Sequence, residues 1–90
     1  MKTISDYIEA AKNRQGFVTD ADLDYALGFK RGMICRFRKE TVYPTEQTMI
    51  KIADMADISI QQALLELSYW KADGAAKVAY EQIIQNLAVA

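Results

Sequence analysis

From Ile4 to Leu87 the apolar residues return every three or four positions, and no segment alternates apolar and polar residues with period two. Side chains three and four apart share one face of a helix, whereas a half-buried strand needs strict alternation. The chain is therefore expected to be all-α. Ile4, Tyr7, Ile8 and Ala11 form a first stripe that fades at "NRQG". Thr19 stands where an N-cap is wanted, and Asp20 and Asp22 suit the positive end of the helix that follows. This short second helix runs through Leu23 and Leu27 and breaks at Gly28. A third helix is predicted over 31–39. Thr45 caps a fourth, with Met49, Ile52, Ala53 and Ala56 on one face, and Ser59 caps a fifth, with Ile60, Ala63, Leu64 and Leu67 inward. Ala76, Tyr80, Ile83, Ile84 and Leu87 make a sixth stripe.

The connections between these stripes are short, which favours a compact bundle over a coiled coil. A chain of 90 residues makes one domain, 1–90, too small for a roomy catalytic cleft. A single cysteine excludes an internal disulfide and predicts a reducing, cytoplasmic location. The opening MKTISDYIEA lacks the apolar core of a signal peptide, and no run reaches the roughly 18 apolar residues of a membrane span. No membrane partner is expected.

The formal net charge of −1 conceals an uneven distribution. Residues 1–29 hold three Lys/Arg and five Asp/Glu, and residues 40–90 hold three and seven. Residues 30–39 hold five cations and no acid. A nucleic acid responds to the local field of such a patch, not to the net charge. At about 100° per residue, Met33, Ile34 and Phe37 fall on the side of the third helix that would be buried. Arg31, Gly32, Cys35, Arg36 and Lys39 fall on the other, with Lys30 and Arg38 flanking it.

The preceding "DYALGFKRG" joins two short helices through a tight glycine-containing turn. That arrangement describes a helix-turn-helix, whose second helix lies in the major groove of DNA. The arginine fork matches the acceptor edge of guanine, and a lysine at the mouth of the helix suits phosphate. Glycine inside a helix costs about 1 kcal/mol against alanine. Gly32 therefore has two readings: it allows close approach to a partner, or it loosens the turn.

Residues 19–41, "TDADLDYALGFKRGMICRFRKET", resemble the Cro/CI-type, lambda-repressor-like helix-turn-helix family. The matching residues are Leu23, then Leu27-Gly28-Phe29, then Ile34-Cys35-Arg36-Phe37. The similarity continues through "YPTEQTMIKIADMADISIQQALLEL", giving a core of about 3–68, and the extension of about 69–90 resembles the extra helix of small phage-associated members. The resemblance implies a bundle of five helices plus a C-terminal helix, acting as a sequence-specific, usually dimeric transcriptional regulator, a repressor of phage or prophage type. It implies double-stranded DNA as partner, with Arg31, Gly32 and Arg36 at base edges. Lys30, Arg38, Lys39 and Thr41 are then expected at the DNA backbone. Three residues depart from the family pattern. Asp24 replaces a small residue packed between the helices, and is expected to be turned outward or locally strained. Asp20 stands where a neutral phosphate contact is usual, and Glu40 where glycine is usual.

Other features have weaker chemical readings. Cys35 is a candidate redox-sensitive residue beside Arg31 and Arg36. Asp20, Asp22 and Asp24 suggest a metal or acid–base site on paper, but no histidine exists to join them, and helix-end electrostatics explain the first two. No phosphate loop, paired nucleophile or metal cluster is present in the sequence, so neither enzyme activity, a cofactor nor a small-molecule substrate is expected. Leu65, Tyr69 and Trp70 lie partly off the inner stripe of helix five, either covered by helix six or facing a second copy in a homodimer built on helices five and six. A different class of function, a protein-interaction module such as a phage-encoded inhibitor or antitoxin-like partner of a host protein, is suggested by the acids around helix two.

Overall fold

A computed structural model of the protein describes residues 1–89. Six helices follow one another: α1 (Ile4–Gln15), α2 (Asp20–Ala26), α3 (Met33–Arg38), α4 (Glu46–Ala56), α5 (Ile60–Lys71) and α6 (Gly74–Val89). No strand occurs among the described residues, and no helix is long and apolar enough to cross a membrane. The protein is all-α.

Local chemistry accounts for most boundaries. Thr3 and Thr19 each accept a hydrogen bond from the backbone of the residue three positions on, and Asp6 and Asp22 accept one back from those threonines' own amides. These reciprocal bonds occupy donors that the first turn of a helix leaves unpaired. Thr45 and Ser59 cap α4 and α5, as expected from the sequence. At the far end of α1, Gly16 takes the left-handed conformation (φ 72°) that closes a helix with little strain.

The core lies where α4 packs against α1 on one side and α5 on the other. Ile4, Tyr7, Ile8 and Ala11 of α1 meet Met49, Ile52, Ala53 and Ala56 of α4. Leu23 of α2, Ile34 and Phe37 of α3, and Ala63 and Leu67 of α5 complete it. Among the described residues, α6 packs on α5 and on no other helix.

The outer helices depart from expectation. In α5, Ile60 is exposed and Leu64 only half-buried. On the expected inner stripe of α6 only Ile84 is buried, whereas Ala76, Ile83 and Leu87 are exposed. A stripe defines an apolar face, but one neighbouring helix covers only part of it. Trp70 is covered by aromatic rings from other elements: it stacks on Tyr43 (centroids 6.2 Å apart, 21° between planes) and meets Tyr7 edge-on at 5.8 Å.

Glu66, a charged residue in α5, is fully buried. Its Oε1 accepts from the Tyr7 hydroxyl at 2.6 Å and from the Gln62 amide at 2.9 Å, and its Oε2 accepts from the Lys2 backbone N–H at 2.9 Å. Burial, reinforced by this carboxylate, pushes the Tyr7 hydroxyl well above the usual tyrosine range. The network pins the segment before α1 to α5. Tyr7→Phe should lower stability to chemical denaturation by about 1–3 kcal/mol, because a buried carboxylate loses a donor; an unchanged midpoint would show that the bond adds nothing.

Candidate nucleic-acid interface

Residues 27–32 join α2 to α3, a longer connection than the three or four residues of a tight turn. Gly28 (φ 77°) and Gly32 (φ 104°) both adopt left-handed backbone, which side-chain-bearing residues resist. The Phe29 amide donates to the Asp24 carbonyl at 2.8 Å, and the Phe29 ring meets Phe37 edge-on at 6.0 Å. The connection is thus folded back onto both helices.

Helix α3 is shorter than the predicted 31–39. It begins after Gly32, which is its N-cap and not an interior residue. A Cβ at Gly32 would meet nothing within 4 Å, so backbone conformation, not crowding within the chain, favours glycine there. Glycine brings no side chain to cap the helix, and Asp24 supplies the acceptor instead. Its carboxylate accepts from the Gly32 N–H at 2.9 Å and from the Ile34 N–H at 2.8 Å. Asp24 is only 3 % exposed, so the expectation that it turns outward or is strained is overturned. It points inward because two backbone donors at the mouth of α3 await an acceptor.

Asp20 has cationic partners. The Arg38 guanidinium donates to both of its oxygens, at 2.8 and 2.9 Å, and the Lys12 ammonium approaches at 3.0 Å. Arg38 also pairs with Glu9 of α1. Hydrogen bonds from Arg38, opposed in part by desolvation, hold the Asp20 carboxyl below its ordinary value of 3.8. Arg38 therefore does not flank an open outer face. It is turned toward α1 and α2, and its charge is balanced there. Asp22 accepts from the Thr19 and Val18 amides, and these bonds lower its pKa as well. The three aspartates thus have three separate structural duties. No group of three His, Cys, Asp or Glu side chains among the described residues is placed to hold a metal.

The remaining expected residues do gather. Lys30, Arg31, Arg36, Lys39 and Cys35 are exposed, while Ile34 and Phe37 are buried beneath them. Lys30 and Arg31 stand in the connection ahead of α3, Arg36 is on the helix, and Lys39 is its C-cap. None of these four cations forms an ion pair among the described residues. Thr41 is exposed, and both its hydroxyl and its N–H donate to the Arg36 carbonyl, at 3.2 and 3.3 Å. That fastens the following loop to α3.

Sequence reasoning missed Asp24 as a cap and Glu9 as a partner of Arg38, because each contact joins residues of different helices. Glu66 did carry a signal: it lies between Ala63 and Trp70 at helical spacing, on the face that turns inward.

No protein-family model, curated protein or solved structure matches the chain.

Two outcomes are expected of the aspartates. Asp24→Ala should cost about 1–2 kcal/mol, as loss of a helix cap does, and should speed amide exchange at Gly32 and Ile34 specifically; uniform exchange changes would place its effect elsewhere. Because the folded pKa of Asp20 is depressed, its stabilisation exists above the unfolded value and fades as pH falls through the folded one. Asp20→Asn should thus lower Tm at neutral pH, and the gap should close as pH drops below about 4. A gap independent of pH would refute the ion-pair explanation.

Proposed function

We propose that the protein is a sequence-specific DNA-binding regulator, with α2 and α3 acting as a helix-turn-helix and the outer face of α3 entering the major groove. The observation that carries this reading is the set of four exposed cations, Lys30, Arg31, Arg36 and Lys39, on one short helix and its flanks, none in an ion pair among the described residues. Arg31 and Arg36 are assigned to base edges, where a bidentate fork discriminates guanine. Gly32 allows the backbone near. Lys30, Lys39 and Thr41 are assigned to phosphates. Arg38 is left out because Asp20 and Glu9 already hold it. Two copies would meet through α5 and α6, where Ile83 and Leu87 are exposed, so that two half-sites are read together. Repression of phage or prophage genes in the cytoplasm follows from the resemblance to the Cro/CI-type family.

A second reading, a protein-interaction module on the same scaffold, is favoured by Val18 and Tyr25, which are 84 % and 87 % exposed around α2. Salt separates the two, since phosphate contacts release counterions and an apolar contact does not.

Selection from a random duplex library should enrich a roughly palindromic sequence, and Arg31→Ala with Arg36→Ala together should abolish the enrichment. Arg36→Ala alone should relax one base position at a cost of about 1–3 kcal/mol. A folded protein that enriches nothing would favour the second reading.

A further inference from the structure

A second cationic site lies beyond the C-terminal end of α3. A cleft of about 320 Å³ opens between the segment ahead of α1, the loop after α3, the end of α5 and the start of α6. Lys2, Glu40, Tyr43, Tyr69, Trp70 and Lys77 line it. Lys2 belongs to no helix, yet its backbone is fixed at both polar groups. Its N–H donates to the buried Glu66 carboxylate at 2.9 Å, and its carbonyl accepts from the Trp70 indole N–H at 3.3 Å. Lys77 reaches in from α6 with its ammonium 4.6 Å from the centre of the Tyr69 ring. Two lysines therefore line one cleft with a single acidic residue, Glu40, and neither forms an ion pair among the described residues. Like charges gathered on a half-aromatic wall repel one another until an anion arrives between them.

We infer that this cleft binds a phosphate group, and that the phosphate belongs to the backbone of the duplex held by α3. This rests on the DNA-binding reading above. The link between the two sites is structural. Glu40 follows Lys39 directly, and Thr41 is bonded to the Arg36 carbonyl. The four residue-to-residue steps from Lys39 to Tyr43 span at most about 14 Å. At about 3.4 Å per base step on one strand, that is roughly four steps along the duplex. The edge of the cleft at Tyr43 thus lies within reach of a strand that leaves the groove at Lys39. The ammonium groups take up phosphate as point charges.

The test uses the whole protein with Lys2→Gln and Lys77→Gln together, which removes both charges and keeps much of each stem. Binding of the duplex enriched by the unaltered protein should weaken for all sequences alike. The slope of log K against log salt should fall by about one unit, near 0.9 for one phosphate contact, with the enriched sequence unchanged. An unchanged slope in a folded variant would overturn the proposal. Should the unaltered protein itself show no salt-dependent duplex binding, the DNA-binding reading fails separately. The cleft is then judged with inorganic phosphate alone, because Trp70 is the only tryptophan and its fluorescence reports on this site. A response that disappears in the double variant would keep the phosphate site and discard the duplex as its source. No response would discard both.

Discussion

The Asp24 carboxylate fixes where the basic segment begins. A six-residue helix has no stability of its own, since isolated helices shorter than about 12 residues are marginal in water. α3 persists because Ile34 and Phe37 are buried beneath it and because Asp24 occupies two of its first backbone donors. Gly32 makes that cap necessary by offering no side chain, and makes it reachable by turning the backbone at positive φ. The placement of Lys30 and Arg31 depends on this arrangement.

A second set of acids decides which cations remain available. Asp20 and Glu9 gather Arg38 and Lys12 at the junction of α1, α2 and α3. The half-exposed carboxylates make each pair a modest contributor to stability. Their larger effect is on the field: charge at the inner edge of α3 is balanced, while charge at its outer edge is not. The acid at position 20 thus balances cations within the fold, and a chain of net charge −1 keeps a cationic surface at α3.

What the sequence made legible was local. The stripe of α1, the inner face of α4 and the caps at Thr19, Thr45 and Ser59 depend on neighbours a few residues apart, and each is found as expected. The true start of α3 was not legible, because it depends on an acceptor eight and ten residues earlier in another helix. Arg38 looked exposed on a helical wheel because a wheel does not include Glu9, 29 residues away. α6 read as a packed helix because its stripe is apolar, but spacing alone does not say what covers Ile83 and Leu87. At the candidate site, the exposure of Arg36 and Lys39 was legible from phase, whereas Lys30 and Arg31 stand ahead of the helix, where phase says nothing.

The most direct test of the central claim is an amide and side-chain NMR map of the protein as a mixed-sequence DNA duplex is added at low salt. If the outer face of α3 meets DNA, the shifts will concentrate on residues 30–41, centred on Arg31, Arg36 and Lys39, and will reverse as salt is raised. Shifts gathered instead around Val18 and Tyr25, or along α6 with residues 30–41 unmoved, would contradict it.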